Sequence, residues 1–338
     1  MVDALWIPEP RLRYDKAYED EEQIKMNKEH LRGLIAAPYA PLDENDVLNP
    51  DIIPAYYAFL KSNGVTGAFI NGSTGEGVSL TMTEKKILVE AWAKCVDNDN
   101  DFKVMTLLGG TCIDDCIELA LHAQRAGLFA VSITAPYYFK PASVDVLAQI
   151  CMRIGETVPD MPVYYYHIPV LNGVGYNMID LLKALDDKMP NFAGIKYTHE
   201  DFMDYQSCIN FQNGKYDMLW GRDENMLSAL AVGAKGAVGS TFNYAAPLYH
   251  RLIAAFNNNE LELAGQLQQK AIDMIRLLGK YGGITVGKSF MKLTGFDFGN
   301  FRLPLQNMTP EQFERFKADV AAINFDEFKS HLDAANKL

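Results

Sequence analysis

KVMTLLGGTCIDDCIELALHAQRAGLFAVSITAP, residues 103–136, reads as one strand–helix–strand unit. KVMTLLGG and LFAVSITAP are short runs rich in apolar and β-branched residues, and each ends in Gly or Pro. Between them, CIDDCIELALHAQRAG spaces its apolar residues three and four apart, the period of a helix with one buried face. A strand that returns through a helix is expected to lie parallel to the one it left, by a right-handed crossover.

The same rhythm recurs on both sides of this unit. Comparable runs stand at GLIAAPY (33–39), GVTGAFIN (64–71), MPVYYYHIP (161–169), FAGIKYT (192–198), YDMLWGRD (216–223) and AKGAVGST (234–241). With the two runs above they make eight, in about 220 residues, which is what closing a (β/α)8 barrel requires. An open doubly wound sheet is the competing arrangement, and the count of eight favours closure. The expected fold is therefore α/β, a TIM barrel over residues 32–250 uninterrupted by any long linker. A polar arm at 1–31 precedes it, and a helical extension at 251–338, packed on the barrel, follows it.

Hydrophobic residues make up 49% of the 338-residue chain, enough to fill a core of that size. Asp and Glu outnumber Lys and Arg by 43 to 31, for a net charge of -12. That balance argues against a nucleic-acid partner, which needs clustered cations. It leaves room for small anions, which need only a local positive site. The five cysteines are scattered and odd in number, giving neither a disulfide framework nor a zinc spacing. The charged start MVDALWIPEPRLRYDKAYEDEEQ does not resemble a secretory signal, and no run approaches the ~20 apolar residues of a membrane helix. A cytoplasmic setting with no membrane partner is expected.

GGITVGKS, residues 282–289, fits the phosphate-binding G-x-x-x-x-G-K-[ST] pattern at every required position. That loop works only when a strand feeds it and a helix leaves it. Here LAGQLQQKAIDMIRLLGKY, a helical pattern, precedes it. Gly282 and Gly283 are expected to stop that helix, and Lys288 to belong to the next one.

In a parallel barrel, chemistry gathers where strands end and βα loops begin. Four strand ends stand out. In FAGIKYT, alternation puts Gly194, Lys196 and Thr198 on one face. If that face is the interior, desolvation lowers the Lys196 pKa and frees a nucleophilic amine for Schiff-base chemistry. The alternative is a lysine reaching from the strand end to solvent, or one paired with an acid. In VYYYHIP, Tyr164 and Tyr166 share a face, so Tyr166 is placed to move a proton near Lys196. His167 points the other way and is expected to be a hydrogen-bonded structural residue. NGSTGEG (71–77) offers backbone N–H groups and the Ser73 and Thr74 hydroxyls as an anion nest, or else an ordinary glycine-rich turn. In WGRDE, Asp223 and Glu224 are candidates for binding sugar hydroxyls or for capping the next helix.

GSTGE at 72–76, Y-x-I-P at 166–169, GIKYT at 194–198 and GST at 239–241, in this order and spacing, resemble the pyruvate-dependent class I aldolases. This is the superfamily of dihydrodipicolinate synthase and N-acetylneuraminate lyase. The resemblance runs from Gly33 to the C-terminal helices. It is greatest toward the sialic acid lyases in GLIAAPYAPLDEN, YYYHIPVLNGV, GRDENMLSAL and GAVGSTFNY. It implies that Lys196 forms the Schiff base, that Tyr166 moves the substrate hydroxyl proton, and that Ser73 and Thr74 hold the carboxylate. It implies further that Tyr138, in APYYFKP, joins a Ser–Tyr–Tyr proton relay, in some members across a subunit contact. Thr198, Gly221, Asp223, Glu224 and Ser240 match positions that contact the sugar tail.

Leu171 stands where the dihydrodipicolinate synthases carry an arginine, a departure that favours a sialic acid substrate. The expected reaction is reversible cleavage of N-acetylneuraminate to N-acetylmannosamine and pyruvate. By the resemblance it needs no metal and no external cofactor, and the assembly is a homotetramer. The alternatives are a sister aldolase or synthase using another 2-keto acid, and a barrel that binds a keto acid without turning it over.

Overall fold

The computed structural model describes residues 30–332. The polar arm expected at 1–31 therefore lies outside the described residues, apart from His30 and Leu31.

Eight strands close into a barrel in chain order, with every neighbouring pair parallel. They are β1 (Gly33–Ala36), β2 (Gly67–Ile70), β3 (Lys103–Leu107), β4 (Ala130–Thr134), β5 (Val163–His167), β6 (Phe192–Tyr197), β7 (Asp217–Trp220) and β8 (Gly236–Gly239). Each lies within the run that predicts it and is shorter, because the final Gly, Pro, Ser and Thr residues leave the ladder to start the βα loops. The crossovers carry α1 (Ile53–Ser62), α2 (Met82–Val96), α3 (Ile113–Arg125), α4 (Val144–Gly155), α5 (Pro169–Asn172), α6 (Met178–Leu185), α7 (Phe202–Asn210) and α8 (Met226–Ala231). After β8 come α9 (Phe242–Asn257), α10 (Leu261–Tyr281), α11 (Val286–Thr294) and α12 (Pro310–Ala322).

Strand alternation divides the core in two. Ile35, Phe69, Met105, Tyr164, Leu219 and Val238 fill the barrel interior. Leu34, Val104, Val131, Val163, Ile195 and Ala237 face outward beneath the helices. The helix ends follow local chemistry. At α2, Thr81 and Glu84 form a reciprocal capping box, a motif in which the cap alone contributes about 1 kcal/mol.

The GGITVGKS segment has the helical context that its flanks imply. Gly282 ends α10 at φ 124°, a conformation that side chains avoid, and Lys288 lies inside α11. No strand feeds the turn, so it is not a nucleotide loop. Among the described residues no helix is long and apolar enough to cross a membrane.

Candidate active site

A cavity of about 430 Å³ opens at the C-terminal mouth of the barrel. Ser73, Thr74, Tyr166, Lys196, Gly221, Asp223, Glu224 and Ser240 all line it, so residues up to 167 positions apart in sequence meet here because their strands end together.

Lys196 is on the interior face of β6, opposite Tyr166 of β5 in the ladder. Its Nζ lies 3.9 Å from the ring centre of Phe69 and 4.0 Å from that of Tyr166. The two rings meet edge to face with centroids 5.4 Å apart. Only 4% of Lys196 is exposed. Burial brings its pKa down to about 7, and the carboxylate of Asp223 works in the opposite direction. A substantial share of the amine is therefore neutral near pH 7 and able to attack a ketone.

Asp223 follows β7 and is itself buried. Its Oδ2 accepts hydrogen bonds from the Thr241 backbone N–H at 2.9 Å and the Thr241 hydroxyl at 2.6 Å, joining the ends of β7 and β8. Burial pushes its pKa up to about 7, against the pull of the Thr241 donors. An acid and an amine that both titrate near neutrality thus share one enclosed space. Glu224 is half-buried and pairs with Arg222 at 2.7 Å, while Arg222 also reaches Glu200 at 2.6 Å. Tyr166 is buried, which raises its phenol to about 12, with the neighbouring Ser73 and Thr198 hydroxyls opposing the rise. It enters any reaction as a phenol rather than a phenolate.

Ser73 and Thr74 sit on the turn after β2. The turn is closed by Glu76 N–H donating to Ser73 O at 3.2 Å and Gly77 N–H donating to Gly72 O at 3.1 Å. A Cβ at Gly77 would lie 1.8 Å from Asn71 O, so only glycine permits this winding. Thr198 stands beside the cavity rather than on its lining, directly against Gly221.

Tyr138 is placed differently. It lies in the β4–α4 loop, 78% exposed and packed edge-on against the equally exposed Phe139, and it does not line the cavity of its own chain. His167 is buried on the outer face as expected, between the rings of Tyr165 and Tyr197, and its Nδ1 is without a hydrogen-bond partner. Burial lowers its pKa to about 3, so a neutral ring serves as a packing unit there.

Phe69 covers Lys196 without lining the cavity itself, and Ile275, Leu278, Gly279 and Ile284 line it as an apolar wall from α10 and the turn after it; no motif singles these residues out. Alternation along GVTGAFIN was the available signal for Phe69. The wall carries none, because a helix with apolar residues at three-to-four spacing reads alike whether it faces a core or a cavity.

A desolvated lysine inside a closed parallel barrel, next to a tyrosine and a glycine-rich turn that bears two hydroxyls, is a site suited to carbonyl chemistry. A profile of the Dihydrodipicolinate synthetase family matches residues 30–323. The chain is 36% identical to an N-acetylneuraminate lyase from Rattus norvegicus, over 89% of this chain and 95% of the relative. The structure of an N-acetylneuraminate lyase from Proteus mirabilis superposes with a TM-score of 0.85 at 37% identity, covering 88% of this chain and 100% of that one. A dihydrodipicolinate synthase from Bacillus anthracis superposes with a TM-score of 0.80 at 28% identity, covering 86% and 98%. The chain belongs to the dihydrodipicolinate synthetase family.

Proposed function

We propose that this chain is a class I aldolase, a carbon–carbon lyase that cleaves N-acetylneuraminate reversibly to N-acetylmannosamine and pyruvate. The observation that carries the reading is the Lys196 amine, enclosed by Phe69 and Tyr166 and opening on a cavity with the Ser73–Thr74 turn on its wall. The likeness over nearly the whole chain to relatives named N-acetylneuraminate lyase supports the choice of substrate.

In this reaction the neutral Lys196 amine attacks the C2 ketone of the open-chain sugar acid and water leaves, giving an iminium ion. Ser73 and Thr74 hold the carboxylate beside it. The C3–C4 bond breaks, and its electron pair enters the iminium as an enamine. The C4 hydroxyl proton passes to Tyr166 as the phenol hands its own proton to Ser73, and Ser73 hands its hydroxyl proton to the carboxylate it holds, from which it returns to protonate the enamine. Protonation of the enamine at C3 and hydrolysis of the iminium release pyruvate and restore the amine. Gly221, Asp223, Glu224 and Ser240, with Thr198 against Gly221, bind the hydroxylated tail. The chain's own groups complete this cycle with no added cofactor or metal.

The working assembly is a homotetramer in the cytoplasm, serving sialic acid catabolism, and Tyr138 serves the relay of a neighbouring copy. The exposure of Tyr138 and Phe139, with Val170 and Leu171 also exposed, supports a contact between copies.

Pyruvate release from N-acetylneuraminate, coupled to lactate dehydrogenase, tests the reading. Turnover by the wild type and its loss in Lys196→Ala are expected. A wild type that captures pyruvate under borohydride but leaves N-acetylneuraminate intact would move the assignment to a sister aldolase with another 2-keto acid.

A further inference from the structure

Lys288, the lysine of the GGITVGKS segment, has a different partner from the phosphate its motif suggests. Its Nζ donates to Glu76 Oε1 at 2.8 Å and to Asn300 O at 2.8 Å, and it lies 4.6 Å from the ring centre of Phe301. Lys288 and Glu76 are each only 2% exposed. The other carboxylate oxygen of Glu76 accepts the Arg302 backbone N–H at 2.8 Å. The Arg302 guanidinium in turn grips Glu84, the capping residue of α2. Both oxygens of Glu76 are thus held by the segment that follows α10.

Glu76 also closes the turn that carries Ser73 and Thr74, since its N–H donates to Ser73 O. Its φ of 54° lies in the left-handed region, where a residue with a side chain persists only when its surroundings hold it. A buried ion pair is a poor source of net stability but a good means of fixing one geometry. Binding groups must be fixed to about 0.5 Å to act well, which is the tolerance such a tie can supply.

We propose that Lys288 is a positioning residue of the active site: through Glu76 it holds the Ser73–Thr74 turn in the shape that captures the substrate carboxylate. The proposal rests on the carboxylate role given to that turn above. Lys288 touches no substrate and acts only through Glu76.

The test compares wild type with Lys288→Met and with the double variant Glu76→Gln/Lys288→Met, which leaves no buried charge alone if the single variant fails to fold. KM and kcat are measured for N-acetylneuraminate cleavage, together with the pyruvate concentration giving half-maximal inactivation under borohydride. The fold is followed by circular dichroism. In the folded variants, KM and the half-inactivating pyruvate concentration are expected to rise about tenfold or more, and kcat to fall as well, because Ser73 on the loosened turn also takes the Tyr166 proton. A folded variant with both constants unchanged overturns the proposal, as does failure of both variants to fold, since the pair is then a structural tie alone. Absence of pyruvate trapping by the wild type itself would overturn the underlying reading of the site, and the proposal with it.

Discussion

Replacing Asp223 by Asn isolates the balance that sets the reactivity of Lys196. Burial takes the lysine from its ordinary 10.5 to about 7, and the Asp223 carboxylate resists that fall. At pH 7 the neutral fraction of a solvated lysine is about one in 3,000, whereas at a pKa of 7 it is about one half, a gain of about 10³ in reactive amine. The initial rate of inactivation by pyruvate and borohydride at low pyruvate is thus expected to climb with pH, to pass its midpoint near 7 and to level off above it. Asp223 is itself raised to about 7, so the inflection belongs to the pair. In Asp223→Asn the carboxylate no longer favours the ammonium, and the inflection moves to lower pH. The assay is a rate profile between about pH 5 and 9, read by intact-protein mass at fixed times. A wild-type rate still climbing beyond about pH 9 would show the amine to be solvated, and an upward shift in Asp223→Asn would reverse the sign assigned to the carboxylate.

The same lysine carries a stability prediction. Its folded pKa lies below its unfolded value, so the unfolded chain binds the extra proton between pH 7 and 10.5, and stability rises across that window. Lys196→Met is expected to be inactive and more stable than wild type by up to about 5 kcal/mol below pH 7, the gap closing as pH rises, as read by Tm at pH 6 and pH 9. A lower Tm for the variant at pH 6 would refute this. Tyr166→Phe is expected to retain pyruvate trapping while kcat falls by about 10²–10⁴, and unchanged turnover would remove Tyr166 from the proton path. In Gly221→Ala the new Cβ would lie 1.9 Å from Thr198 Oγ1, and an overpacking cost of about 1–3 kcal/mol should appear as a lower midpoint in urea. Titration with MgATP should give no binding heat, because Lys288 is already paired with Glu76.

Most of the barrel was legible because each strand end carries a local mark. In FAGIKYT and VYYYHIP the two-residue period puts Lys196 on one face with Gly194 and Thr198, and Tyr166 on one face with Tyr164. Lys196 and Tyr166 could be placed in one interior on that basis, and the ladder sets them opposite each other. The P-loop pattern was rejected on context alone, since a helix period in place of a strand period precedes it. Other features depend on tertiary placement. The partnership of Lys288 with Glu76 spans 212 positions and has no local sign. His167 looks like any strand-end histidine, and only the packing of Tyr165 and Tyr197 around it shows a ring held without a partner for Nδ1.

The cavity is assembled from two separable parts. Lys196 and Tyr166 ride on adjacent strands locked by a shared ladder, whereas Ile275, Leu278 and Gly279 belong to α10, which joins the barrel by packing alongside α9 and α8. A shift of α10 would widen or narrow the cavity while the distance between amine and phenol stays the same. A side chain at Gly279 would meet no neighbouring atom at its Cβ and would change only the room available. Reactivity and accepted substrate size are therefore independent variables in this chain, and a small library at Gly279, with Leu278 and Ile275 beside it, can vary the second while holding the first constant.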